Sequence, residues 1–419
     1  MSGFVGLGRA EVVRPEELIS VEEHLAGILG MLAEPEPIDL RLSDALGLVL
    51  GDFVSSQVTL PAFANAAMDG YAVVAADLEG ASPEGPVTLA VEGEVTAGAH
   101  ELPRVTSGHV VRIMTGAPVP PGADAVVPVE TTSGGEGRVA FHSAVAAGAH
   151  IRRPGEDLTP GQPLVAAGRR VSPADIGLLA AAGATRVPCI PPPRVVVLSS
   201  GDELVRPEDD PGPGRIRDAN GPMMAAMIKQ AGGLPFSAGI VPDDRKSLMY
   251  AFDTNLGHAD LFVCTGGASA GTRDLLPDVI GALGEVHTAK VAMKPGMPQI
   301  RGRIGQTPVI GLPGNPVSAF VSFEVFVRPA IRRLQGRRDV ARPTVLATLA
   351  EPLGGASGKR AYLRVRLARE DGRWVASAAG AQGSHVISSI ARADGLAIVP
   401  EGVDSLAAGD EVRVQLLVD

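Results

Sequence analysis

Residues 261–274, LFVCTGGASAGTRD, decide how the chain is read. Leu261-Phe262-Val263-Cys264 is a short, wholly apolar run, the pattern of a buried strand. Thr265-Gly266-Gly267-Ala268-Ser269-Ala270-Gly271 follows, almost free of side-chain bulk, and Thr272-Arg273-Asp274 lead into LLPDVIGALG, whose spacing predicts a helix. Strand, glycine-rich loop and helix N-terminus make an anion cradle: bare amides can point at phosphate, and the helix dipole favours negative charge. A tight strand-to-helix turn with no ligand has the same pattern. Gly266 and Gly271 stand five apart, as in a Walker A loop, but Thr272-Arg273 occupies the place of its Lys-Ser/Thr. A nucleoside-triphosphate motor is therefore not the reading.

Outward from this stretch the chain alternates strands and helices. Upstream, Pro191-Pro192-Pro193 reads as a linker and RVVVLSS as a buried strand ending at Gly201-Asp202-Glu203. GPMMAAMIKQAGG predicts a helix with Asn220 as N-cap and Gly232 as stop, PFSAGIV a strand, and Pro242-Asp243-Asp244-Arg245 the next helix start. Downstream, HTAKVAMK is a strand carrying Lys290 and Lys294, and PVIGLPG is another, after which Asn315 caps a long helix. This order predicts an α/β domain with a mostly parallel sheet and ligands outside the strand C-termini. Asp202, Glu203, Asp243, Ser269, Asp274 and Asn315 all follow strands.

The flanks have a different texture. Ser20 and Glu23 form a capping box for an amphipathic helix over 21–33, stopped by Pro35 and Pro37; RLSDALGLVL then reads as a short helical or extended piece. Residues 60–150 are rich in Gly, Pro, Val and Thr and read as an inserted β domain. Its two polar patches, around Asp69 and around Thr115, each look like turns when taken singly. Arg152-Arg153-Pro154-Gly155-Glu156-Asp157 reads as a solvated loop, and SPADIGLLAAAGA as a helix with Ser172 as N-cap, Pro173 at N1 and Gly183 at its end. The tail, 341–419, carries five strand patterns, a small barrel or sandwich, where Arg364, Arg366 and Arg369 suggest a basic face or a solvated edge.

Composition narrows the class. With 419 residues the chain expects several domains, and a formal charge of -10 argues against general binding to nucleic acid or an anionic membrane. Cys189 and Cys264 match no metal spacing and read as buried thiols. With no disulfide framework, no signal peptide and no run of transmembrane length, the expected location is the cytoplasm.

Eight motifs together carry a resemblance: TGGASAGTRD, SSGDEL, AMDGYA, RIMTGAPVPPGADAVV, RRPGED, VPDD, KVAMKPG and GLPGNPVSAF. The chain resembles the molybdopterin molybdenumtransferase family, which includes the C-terminal domain of gephyrin, in family order over nearly its whole length. The resemblance implies insertion of molybdate into adenylylated molybdopterin, with release of AMP in a Mg²⁺-dependent step of molybdenum cofactor biosynthesis. It implies four pieces: an α/β molybdopterin-binding domain (1–26 with 191–340), a linker domain (27–59 with 151–190), an inserted β domain (60–150) and a C-terminal β barrel (341–419). It also implies an elongated homodimer whose subunits share each active site, and a molybdopterin adenylyltransferase as a partner.

Matched motif by motif, the family's catalytic residues fall on Asp69, Thr115, Asp157, Glu203, Asp243 and Asp274, with Glu203, Asp243 and Asp274 as the Mg²⁺ ligands. Its substrate-binding residues fall on Gly266, Gly267, Ser269, Gly271, Lys290, Lys294, Pro313 and Asn315. The chemistry agrees: molybdate and the pterin phosphate are anions suited to lysines and loop amides, and carboxylates suit a hard, oxygen-seeking ion. Two departures stand out. Met297 replaces the second lysine of the usual KPGKP, and Ala268 and Ala270 replace the loop valines. A molybdopterin adenylyltransferase, whose fold resembles residues 194–335, would need neither inserted domain nor barrel. A non-catalytic scaffold would not need all five acids.

Overall fold

The computed structural model describes residues 18–135, 137–266 and 275–418. The chain forms two compact units, Met1–Ile38 with Cys189–Asp419, and Asp39–Pro188.

The first unit is built on a seven-stranded sheet. Its order is Leu18–Ile19, Gly284–Val291, Pro298–Ile304, Thr307–Leu312, Leu261–Thr265, Arg194–Ser200, Leu234–Val241. The central strands are continuously apolar because both faces are covered. Val195, Val197, Val263 and Ile310 face one side with Met224, Ile228 and Phe326. Val196, Leu198, Phe262 and Cys264 face the other with Leu248, Phe252, Leu276 and Ile280. Both cysteines are free and buried, as expected, and burial pushes the Cys264 thiol up to about 12.

Four of the six strand pairings are parallel. The two antiparallel ones belong to Pro298–Ile304, a strand that the sequence reading passes over because Arg301, Gly302 and Arg303 interrupt its apolar pattern. HTAKVAMK also divides. Gly284–Val291 stays in the sheet, while Met293–Lys294 pairs with the barrel strand Arg360–Glu370.

Helix ends differ from expectation in three places. The first helix is Val21–Leu29, shorter than 21–33, and only the Ser20 half of its capping box forms, with Glu23 N–H donating to Ser20 Oγ at 3.0 Å. The helix Asn220–Ala231 takes its cap from Asp218, whose Oδ1 accepts from Gly221 N–H at 2.9 Å, and not from Asn220. Asn315 holds the N-cap position of Pro316–Ser322 without a side-chain cap bond. Gly232 does end its helix, in the left-handed region at φ 92°.

Five of the C-terminal strands close into a barrel. Arg360–Glu370 pairs with both Arg373–Ala378 and Gly395–Val399, and Glu411–Leu416 joins Gly395–Val399 to Thr344–Leu349, which pairs with Arg373–Ala378. Closure removes the sheet edges. Arg364 forms no basic face: it is 0% exposed, with its guanidinium donating to Ser389 Oγ, Ala381 O and Gly383 O.

The second unit contains a six-stranded sheet, in the order Thr132–Gly134, Arg138–Phe141, Val87–Val95, His109–Ile113, Gly70–Val73, Ala125–Pro128. Its helix Pro173–Ala181 has the expected Ser172 cap, completed as a capping box by Asp175. Residues 41–50 resolve into the 3₁₀ turn Leu42–Asp44 and the strand Val49–Leu50.

His24 is the sharpest electrostatic feature of the first unit's core. It is 0% exposed, neither ring nitrogen has a partner among the described residues, and it packs edge-on against Phe326 at 4.8 Å. Burial, reinforced by the Arg301 charge, lowers its pKa from 6.5 to about 3. The unfolded chain therefore binds a proton between those values that the folded chain refuses, so stability from neutral His24 is complete above 6.5 and is lost as pH falls toward 3. At pH 5 the loss is about 2 kcal/mol. Denaturant titration at pH 7 and pH 5 should show this loss in the wild type and a smaller one in His24→Leu; equal losses would remove His24 from the acid response.

Candidate active site

The C-terminal ends of the central strands open into a cavity of about 440 Å³. Parallel register brings Ser199 opposite Thr265 there, and Thr265 opposite Leu312, so three strands deliver their following loops to one place. Glu203, Gly266, Pro313 and Asn315, four of the residues expected from sequence, line it. Gly266 must be glycine: its φ is +89°, and a Cβ would lie 2.1 Å from the Ser200 carbonyl oxygen. Gly266 thus passes directly over the neighbouring strand end.

Asp243 sits beside this opening through Ser200, a lining residue whose hydroxyl donates to Asp243 Oδ1. The Asp243 N–H donates to Asp202 Oδ1 at 3.0 Å. Asp244, not Asp243, caps the helix Arg245–Leu256, accepting from Ser247 N–H at 2.9 Å, which leaves Asp243 free of capping duty.

The two lysines are exposed and do not line the cavity. Lys290 stands in register with Leu18 and Pro298, and Lys294 with Ala361 of the barrel. Backbone reaches the cavity instead, at Gly296 and Pro298. Gln299 pins that segment by donating to Gly296 O and Ser322 Oγ, both at 2.6 Å, and Met297 O accepts from Val291 N–H at 2.7 Å. Gly267, Ser269, Gly271 and Asp274 lie outside the described residues.

In the second unit, Asp69 and Thr115 meet although 46 residues separate them. Both the backbone N–H and the hydroxyl of Thr115 donate to Asp69 Oδ1, each at 2.7 Å. What looked like two separate turns is one constellation. Asp157 lies on an exposed loop whose backbone is tied to Leu60 O. Glu156 Oε2 accepts from the Arg153 backbone N–H at 2.9 Å.

Comparison with known proteins places these features. Residues 19–183 match the model described as "MoeA N-terminal region (domain I and II)", residues 196–333 "Probable molybdopterin binding domain", and residues 347–417 "MoeA C-terminal region (domain IV)". The chain is 42% identical over 401 residues to molybdopterin molybdenumtransferase 2 of Mycobacterium tuberculosis, covering 94% of this chain and 98% of that one. The chain belongs to the molybdopterin molybdenumtransferase family. The enzyme of that name from Haemophilus influenzae is 31% identical, covering 95% of this chain and 98% of its own. A crystal structure of the molybdopterin biosynthesis MoeA protein from Pyrococcus horikoshii superposes with a TM-score of 0.82 at 33% identity, over 96% of this chain and 99% of that one.

Within this molybdenumtransferase fold, sequence reasoning overlooked Ser200, Asp218 and Asn220 as cavity residues. Ser200 sits inside the quoted SSGDEL motif, but nothing local reveals its bond to Asp243. The spacing Asp218-Ala219-Asn220 before an apolar run signals a helix start and conceals that both polar side chains line a cavity.

The Asp69 carboxyl is held below the ordinary carboxylate range, first by the Thr115 N–H, then by the Thr115 hydroxyl, with a small further contribution from Arg112. Thr115→Val keeps the amide and removes the hydroxyl. The Asp69 carboxyl should then titrate at higher pH than in the wild type, yet still below free aspartate. Carbon-detected NMR of that carboxyl reads the change, and an unmoved midpoint would show that the hydroxyl contributes nothing.

Proposed function

We propose that this protein inserts molybdate into adenylylated molybdopterin and releases AMP in a Mg²⁺-dependent step of molybdenum cofactor biosynthesis. The observation that supports it is the strand-end cavity lined by Glu203, Gly266, Pro313 and Asn315, set in the segment matching a molybdopterin-binding model. Relatives named for this transfer align along nearly their full length.

The described residues suit a magnesium ion in part. Glu203 faces the cavity and Asp243 adjoins it through Ser200, which gives the one or two carboxylates that Mg²⁺ takes alongside substrate oxygens and water. No group of three His, Cys, Asp or Glu side chains forms a metal cluster among the described residues, and Asp274 would be the third ligand. When bound, the ion would supply positive charge to the phosphoanhydride oxygens. The chain's own residues do the rest. Ser200 orients the Asp243 carboxylate, the Gly266 turn brings backbone close to the ligand, and the exposed Lys290 and Lys294 supply positive charge that attracts the anions.

The homodimer, the cytoplasmic location, the supply of substrate by a molybdopterin adenylyltransferase and the four-piece domain division belong to the same proposal. Among the described residues no helix is long and apolar enough to cross a membrane.

Glu203→Gln and Asp274→Asn should each keep the fold and lower molybdate- and Mg²⁺-dependent AMP release by about 10² or more, the scale of losing a charge-stabilising group. Turnover near wild type in either folded variant refutes its assignment. Met297→Lys restores a cation beside the rim and should tighten apparent molybdate affinity several-fold, about 1 kcal/mol after screening, with little change at saturating molybdate. Coincident half-saturation points in a molybdate titration would make Met297 a packing residue only.

A further inference from the structure

The cavity holds two acceptors that the reaction above leaves unused. Asn220 lines it at 8% exposure, and its Nδ2 donates to Gly314 O at 2.7 Å. That bond fixes the amide, because turning it over would set Oδ1 against a carbonyl oxygen. Oδ1 is thereby left buried with no hydrogen-bond partner among the described residues. A buried acceptor is rarely left unpaired in a folded protein, and one on a cavity wall is paired by what enters the cavity.

Asp218 lines the same wall at 7% exposure. Its Oδ1 accepts from Gly221 N–H at 2.9 Å, and no cation pairs with it among the described residues. The bare Gly221 makes room for it, since a Cβ there would lie 2.5 Å from Asp218 Oδ2. A carboxylate and an amide oxygen, two residues apart at one helix start, thus both offer acceptors to the cavity.

We infer that Asp218 and Asn220 form a specificity-determining subsite that reads the pterin ring of the substrate through its 2-amino and N3–H edge. That edge carries two N–H donors side by side and meets acceptors as a guanidinium meets a carboxylate. Adenine, the other heterocycle of the proposed substrate, presents one amino group beside a ring nitrogen acceptor, which would oppose an oxygen here. The inference rests on the proposed reaction only for the identity of the substrate.

Equilibrium binding of molybdopterin and of AMP, each alone and under anaerobic conditions, separates the two rings. Asp218→Asn retains the acceptor for Gly221 N–H and turns the other position into a donor. It should weaken molybdopterin by about tenfold or more while AMP affinity stays within about twofold. Loss of AMP affinity with molybdopterin unchanged would place adenine in the subsite, and equal loss or no loss for both would also overturn the inference. A second measurement needs no variant: pterin-6-carboxylate should displace molybdopterin from the wild type better than lumazine-6-carboxylate, in which an oxygen replaces the 2-amino group. Equal displacement, or none by either, overturns the inference. Turnover is read separately. A wild type that binds in the predicted pattern but releases no AMP with molybdate refutes the reaction and leaves the subsite standing; normal turnover with Asp218→Asn as tight a molybdopterin binder as the wild type does the reverse.

Discussion

The approach of Gly266 to the Ser200 carbonyl is the constraint on which the site depends. Two parallel strands end side by side, and the chain leaving one must cross the end of the other with no Cβ in the way. That crossing lets Ser200 face the cavity on one side while its hydroxyl holds Asp243 on the other. A side chain at position 266 would clash with the Ser200 carbonyl and push the two strand ends apart. The left-handed φ of +89° adds a second reason for glycine at the same place.

Rigidity behind the site comes from buried polar groups as well as apolar packing. Arg342 forks onto Glu324 at 2.9 and 3.0 Å, with both side chains almost fully buried, and Gln299 ties the Gly296 turn to Ser322. Such pairs are costly to break because each partner would be left charged or polar in a low-dielectric interior. Gly27, inside a helix, is explained the same way: the Arg301 guanidinium occupies the space where a Cβ would stand, 1.2 Å from it. Barrel and sheet share a strand transition, with Lys294 in register with Ala361 and Arg360 paired to Glu22 at 2.6 Å and Glu401 at 2.9 Å. The segment around Lys294 is therefore held from both sides.

Much of the architecture was legible in the chain. Continuous apolar runs such as RVVVLSS and LFVC announced strands covered on both faces, and alternation with helices announced their parallel pairing. Glu203 and Asn315 were found because ligands in such sheets gather beyond strand C-termini, Gly266 because it opens the glycine-rich loop, and Pro313 only through the family resemblance. The strand Pro298–Ile304 was not legible, since its arginines lay their stems against other elements and only the sheet's neighbours reveal that they belong there. Arg364 misled for a related reason. Its neighbours Arg366 and Arg369 suggested a basic face, whereas Arg364 points away from the barrel core of Ala361, Leu363 and Val365 and is buried under residues 381–389, donating to two carbonyl oxygens and one hydroxyl.

The sequence by itself determined the kinds of element, their order, and the residue types available for anion and metal chemistry, because hydrophobic period and turn chemistry are local properties of the chain. The tertiary structure alone decided which polar groups meet. Asp69 with Thr115, Ser200 with Asp243, and Asn220 with Gly314 are separated by 46, 43 and 94 residues. Hydrogen bonds act over about 3 Å, so no local pattern can encode them. They exist because the packing of distant strands and helices brings those atoms within reach.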